Sequence, residues 1–471
     1  MMRTCASVLF SIFFISSVVC LLTIDVQARP SNNSPYLFVP IHPGWPQTII
    51  GQEDVWLGLV APVSQDFDGD GRQEVFVALP GIPSSQLFLF REDGSVVWQR
   101  NVSCVIEPSS TPSVGDVASF AGEEIIFPCR NWTSAVLIIG NAGDVVVQGV
   151  PLKLSDTSFG AIVLNDIDRD SRLDLVYGGD NASGSYLVAM RADGSLLLGF
   201  PLFVEGPYSE VNTPAIGDLL QETIVVVSRP NNAEPGSRIR AVSTNGRILW
   251  TIDYAGYLFG DPVIADVTGD GLNDVVVASE QSVLVLNGTG DVVREITLGD
   301  FAISTPLAIA DLDAAPGKEI IVGRNTQLFI IANLSVQRTL ELQSSITSVP
   351  VIGETDNTGR EDIFVVAGNA VYAVTSEGML LRGFPLPLPF FSTSVPSIAD
   401  LDGNGALELL LSSTRNGEEP SARIFVWDLR GEQASWPHYQ QNIRRAGSID
   451  DAGGSSLPKQ KMCTAHVTAV D

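Results

Sequence analysis

An acidic stretch returns along this 471-residue chain at nearly even intervals, and it limits the possible folds more than any other feature. "DFDGDGRQEVFVALP" begins at Asp66, "DIDRDSRLDLVYGG" at Asp166, "DVTGDGLNDVVVAS" at Asp266, "DLDAAPGKEIIVG" at Asp311 and "DLDGNGALELLLSS" at Asp400. A weaker copy, "ETDNTGREDIFVVAG", starts at Glu354, and eroded copies surround Asp116 and Asp218. The first positions, 66, 116, 166, 218, 266, 311, 354 and 400, step by 43 to 52 residues. Such a period marks a repeat architecture, in which one supersecondary unit buries its apolar faces against its neighbours.

Each unit has the same internal order. A short segment such as "TPSVGD" or "VPSIAD" enters the acidic loop, and an apolar run such as "EVFVAL" leaves it. A third run follows, then a turn signal ("EDGS", "ADGS", "TNGR"), then a fourth run such as "VVWQR" or "RILWTI". Asp-Gly and Asn-Gly between β-rich runs are strong hairpin signals. Four short antiparallel strands per unit predict an all-β fold, a β-propeller of four-stranded blades. Eight units predict eight blades, with seven if the unit at Asp116 or Asp218 has merged into a neighbour. Two segments compete to close the ring. Gly44-Trp45-Pro46 matches the fourth-strand endings Gly199-Phe200-Pro201 and Gly383-Phe384-Pro385, and the rival is "SWPHYQQNIRR", Ser435 to Arg445.

The termini read differently from the repeats. Residues 1–28 carry Arg3, an apolar block from about Ser7 to Leu22 and a small residue at Ala28, which reads as a cleaved secretory signal. An uncleaved N-terminal anchor is the alternative. Residues 29–445 then form the propeller, and the polar, Gly/Ser-rich residues 446–471 read as a disordered tail. Export permits disulfides. Cys104 and Cys129 flank one β-rich stretch and make the natural pair, against the alternative of two buried free thiols. A formal net charge of -27 repels nucleic-acid phosphates and anionic lipid, so neither is an expected partner. The mature chain is expected to be a monomer without stable membrane insertion, secreted, extracellular or periplasmic.

The unit Pro-x-x-x-Asp-x-Asp-x-Asp-Gly-x-x-(Asp/Glu) before an apolar strand resembles the FG-GAP/VCBS repeat of integrin α-chain-like propellers, over roughly Gly44 to Arg445. The resemblance implies a calcium-binding propeller with surface or extracellular roles, and it does not imply one activity. The residues agree with that chemistry. Ca²⁺ takes six to eight oxygens, and a loop with oxygens at positions 1, 3 and 5, a carbonyl at 7 and a carboxylate at 9 can wrap one. Asp66, Asp68, Asp70, Arg72 (through its carbonyl) and Glu74 fit; so do Asp166, Asp168, Asp170, Arg172 and Asp174, although Ser171 replaces the Gly. Asp266, Thr268, Asp270, Leu272 and Asp274 form the third set, and Asp400, Asp402, Asn404, Ala406 and Glu408 the fourth. Ala315 and Thr358 leave the loops at Asp311 and Glu354 open, and the loops at Asp116 and Asp218 are expected to be hairpins without metal. About two to four calcium ions are expected.

The chain has three His, at 42, 438 and 466, and neither a Gly-x-Ser-x-Gly elbow nor a Walker loop. The expected role is therefore a binding or adhesion module for an extracellular protein or glycan. A lyase-type polysaccharide enzyme on the same scaffold is the alternative, by analogy of fold alone. Asn101, Asn131, Asn181, Asn287 and Asn333 begin Asn-x-Ser/Thr and are glycan acceptors if the host glycosylates exported proteins.

Overall fold

The computed structural model of the chain describes residues 38–447, except 51–59, 82–83, 107–110, 118–121, 132–133, 141, 144, 149–159, 182, 207–208, 230–235, 300–305, 314, 416–420 and 443. The expected signal, 1–28, and all of the expected tail beyond 447 lie outside the described residues. Within them there is no helix, and so none long and apolar enough to cross a membrane.

Eight antiparallel sheets follow one another in sequence as the blades of a β-propeller. Blade 1 has strands Val63–Gln65, Glu74–Leu79, Ser85–Phe90 and Val96–Val102, and the other blades repeat this order. The eroded units at Asp116 and Asp218 each build a sheet of their own, which sets the seven-bladed alternative aside. Blade 4 adds a two-residue strand, Glu210–Val211, beside Glu222–Arg229. The middle strands are buried on both faces, as in Asp274–Ala278 and Ser282–Leu286, because a blade has a neighbour on either side. This explains their unbroken apolar runs, whereas the outermost strand Val292–Thr297 is mostly exposed and mixed in sequence.

The N-terminal segment closes the ring. Gln47–Ile50 pairs antiparallel with Ser421–Asp428 and becomes the fourth strand of blade 8, with Gln47 opposite Ile424 and Ile50 opposite Ser421. Trp45 and Ile49 pack in one cluster with Val75 and Val77 of blade 1 and Leu410 of blade 8. The match to the other fourth-strand endings is physical. Gly44 and Gly199 both have left-handed φ, 86° and 90°, and a Cβ would lie 1.8 Å from Asp93 O at Gly44 and 2.1 Å from Asn245 O at Gly199. Each glycine seats its strand against the Asp-Gly or Asn-Gly turn of the next blade, where no side chain fits.

The rival segment, Ser435 to Arg445, is not a blade strand. It runs through the axial channel and supplies carbonyls to the innermost strands of blade after blade. Trp436 O accepts from Ile352 N (2.9 Å, blade 7), Pro437 O from Ile398 N (3.0 Å, blade 8) and Arg444 O from Leu164 N (2.9 Å, blade 3). Ala446 O and Gly447 O continue the series with Ile216 N and Ile264 N, both at 2.8 Å, in blades 4 and 5. Trp436 and Arg445 are fully buried. The Arg445 guanidinium donates from Nε (3.0 Å) and Nη2 (2.8 Å) to Pro112 O at the entry to blade 2, and from Nη1 to Tyr439 O (2.9 Å). Burial pushes its pKa down to about 9. Tyr439 donates in turn to Asp261, between blades 4 and 5.

Cys104 is buried in the cluster that joins Phe76 of blade 1 to Phe127 of blade 2, and it is disulfide-bonded. Its expected partner, Cys129, lies on the second strand of blade 2, Glu124–Asn131, with its side chain outside the described part.

The axial segment is expected to contribute to global stability. Arg445→Ala leaves the Pro112 carbonyl buried without its donor, a loss of about 1–3 kcal/mol. Urea titration should show a lower midpoint; an unchanged midpoint would mean that the plug is not coupled to the ring.

Candidate metal centres

Every acidic loop joins the innermost strand of a blade to its second strand, so equivalent loops lie on one face of the disc. Blade 1 shows how the loop is built. Asp66 Oδ1 accepts from Gly69 N (2.7 Å) and Asp70 N (3.1 Å), and its Oδ2 accepts from Gly71 N (3.0 Å). Asp70 Oδ1 accepts from Arg72 N at 2.9 Å, which fixes the residue expected to offer a carbonyl. Arg172, Leu272 and Ala406 are held in the same way, with N–H donors 3.0, 2.8 and 2.6 Å from Asp170, Asp270 and Asn404. The bond from the position 6 N–H to the first acid recurs as Ser171–Asp166 (2.9 Å), Gly271–Asp266 (2.9 Å) and Gly405–Asp400 (3.0 Å).

The closing acid has a second, more widespread role. One of its oxygens accepts the backbone N–H of loop position 2 in seven of the eight blades: Phe67 to Glu74 (2.9 Å), Val117 to Glu124 (2.9 Å), Ile167 to Asp174 (3.1 Å), Val267 to Asp274 (3.1 Å), Leu312 to Glu319 (2.7 Å), Thr355 to Asp362 (3.2 Å) and Leu401 to Glu408 (2.6 Å). All seven acids are buried. Glu124 makes the bond although its loop has lost the middle acids, so position 9 anchors the turn whether or not a cation is near. At Asp218 the loop has shrunk to a tight hairpin with Asp218 opposite Glu222.

Four loops bring three carboxylates within 4.8 Å of one another: Asp66, Asp68 and Asp70; Asp166, Asp168 and Asp174; Asp311, Asp313 and Glu319; and Asp400, Asp402 and Glu408. The loop at Asp311, incomplete by sequence, is thus among them. The loop at Asp266 brings no three acids together among the described residues, because Thr268 stands at position 3. In the loop at Glu354 the first acid is directed to the stretch just before the axial segment, its Oε2 accepting from Glu432 N at 3.0 Å.

Burial, with smaller contributions from neighbouring carboxylates, raises Glu74 and Glu319 to about 7, Asp174 to about 6 and Glu408 to about 8. Asp174 Oδ1 and Asp400 Oδ1 are buried with no hydrogen-bond partner. A hard divalent cation suits such oxygens, so the residues of blades 1, 6 and 8 fit Ca²⁺. Blade 3 has its own cation: Arg191 pairs with Asp168 and, at 3.5 Å, with Asp170. A metal at that loop has to displace the guanidinium. The backbone of the same loop is strained as well: Arg169 and Ser171 take φ of 63° and 70°, at positions that are Gly69 and Gly71 in blade 1.

No family model matches the chain, and no curated protein matches it. Among solved structures it is similar to the V. cholerae biofilm matrix protein Bap1 (11% identity, TM-score 0.47, covering 88% of this chain and 96% of that one). It is also similar to BBS1N crystallised in complex with ARL6DN (13% identity, TM-score 0.44, covering 81% and 97%).

The raised carboxylates set a pH dependence. Their folded pKa values exceed the ordinary 4.5 of Glu, so in the ion-free protein the stability they contribute is present below about 4.5 and lost as pH rises through about 7 to 8. Calcium binds the deprotonated forms and must expel those protons. Calorimetric titration near pH 6 is expected to show proton release and weaker binding than near pH 8; binding without proton release would place the ions elsewhere.

Proposed function

We propose that this protein is an exported, calcium-stabilised propeller of the FG-GAP/VCBS type that serves as a binding module for an extracellular protein or glycan. The observation that supports it is placement. Carboxylate clusters recur at the equivalent hairpin of blades 1, 3, 6 and 8, whereas a catalytic ion is expected once, in a unique setting with an open coordination position. Ions that bind only the folded state stabilise it by about 2.7 kcal/mol per site at a free concentration 100 times the dissociation constant. Loops on a disc held rigid in this way can present side chains to a partner without ordering cost.

One observation favours the enzymatic reading as well. A cleft of about 420 Å³ between blades 8 and 1 is lined by His42, Arg72, Glu92, Glu408 and Asp428, which is a concave site with titratable groups. A glycan and protein array, followed by an assay on acidic polysaccharides, separates the two. The binding reading expects saturable capture of one ligand class with the ligand intact, together with two to four calcium ions by elemental analysis. Cleavage of the polysaccharide with unsaturated ends would replace it with the lyase reading.

A further inference from the structure

Blade 8 differs from the other seven in what its acidic loop faces. Its outermost strand comes from the N-terminus, and the segment leading into that strand crosses Ser421–Asp428: Asp428 N donates to Pro40 O at 3.0 Å and His42 N to Val426 O at 2.9 Å. This pairing across the chain's two ends sets the His42 ring beside Asp428, with Nδ1 2.6 Å from Oδ1. Glu408, the closing acid of the blade 8 loop, lies with them, and the three residues offer ligand atoms within 4.8 Å of one another.

The donors differ in kind from those of the other loops. An imidazole nitrogen is a poor partner for Ca²⁺, which takes oxygen, and a good one for divalent zinc, cobalt or manganese. His42 and Glu408 are 7% and 1% exposed, so neither is a freely solvated surface group. Glu408 spends Oε2 on Leu401 N (2.6 Å), which leaves Oε1 for a cation, and a divalent ion would take the place of the proton shared by His42 Nδ1 and Asp428 Oδ1. Both residues line the cleft between blades 8 and 1. Two carboxylates and a neutral imidazole around a divalent ion sum to zero charge, the arrangement a buried site tolerates best. Three protein ligands beside an open cleft also leave a coordination position for water or a ligand group.

We propose that His42, Glu408 and Asp428 form a mixed nitrogen–oxygen site for a zinc-class divalent transition ion, at the seam where the ring closes. The site refines the calcium reading at blade 8 only. The clusters at Asp66 and Asp311 share no residue with it.

Cobalt(II) is a suitable probe, because its visible spectrum reports nitrogen and oxygen ligation. The full mature chain, held in excess calcium, is expected to retain about one cobalt ion, and His42→Gln to lose it while Asp68→Asn keeps it. Crystals of the unaltered protein soaked in cobalt and calcium give the location without any variant. An anomalous peak among His42, Glu408 and Asp428 is expected. Cobalt that exchanges fully with calcium, cobalt only in the carboxylate loops, or a peak that persists in His42→Gln would overturn the proposal. Calcium absent from Asp66, Asp68 and Asp70 in the same crystals would instead count against the calcium reading.

Discussion

A buried carboxylate that accepts the second N–H of its own loop is the contact on which the rest of this propeller depends. It recurs in seven blades, and it holds the turn from innermost to second strand at one geometry around the ring. Its consequence is electrostatic. Drawing an acid out of water raises its pKa, and setting further Asp residues beside it adds repulsion, which a positive charge relieves. Blade 3 supplies that charge from within the chain, through Arg191. In blade 1 the same crowding is the physical basis for the proposed calcium, and blade 6 brings the same trio of acids together; at blade 8 Glu408 is assigned instead to the proposed site with His42 and Asp428.

A ring of weakly self-sufficient blades also has to be closed. Both ends of the described chain serve that purpose in different ways. The N-terminal strand completes blade 8 from outside, with Gly44 seated on the turn of blade 1. The C-terminal segment satisfies inner-strand N–H groups from within the channel, and it links blades that never touch one another. Open sheet edges are thereby covered at the rim of blade 8 and along the axis.

Most of the fold was legible in the sequence because propeller blades are local. Asp-Gly and Asn-Gly turns, short apolar runs and the period of the acidic loop all report contacts made within one unit. The likeness of Gly44-Trp45-Pro46 to the endings at Phe200 and Phe384 was readable for the same reason, since the same steric slot recurs. What escaped was non-local. Ser435 to Arg445 resembles a closing strand, but with Ala446 and Gly447 its carbonyls bond to five blades and leave no periodic mark. His42 meets Asp428 across 386 residues, and Arg191 meets the loop at Asp168 from another turn of its blade. Ligand counting along the chain also ranked the loop at Asp266 above that at Asp311, whereas the side chains that converge are those of Asp311, Asp313 and Glu319.

Whether cations hold these loops together is tested most directly by thermal unfolding of the mature protein at about pH 7.5, in excess calcium and in excess chelator. The expected result is a markedly lower midpoint in chelator, restored when calcium is returned in excess. Equal midpoints in the two solutions would contradict it, and would mean that the buried carboxylates are kept neutral by protonation and by arginine alone.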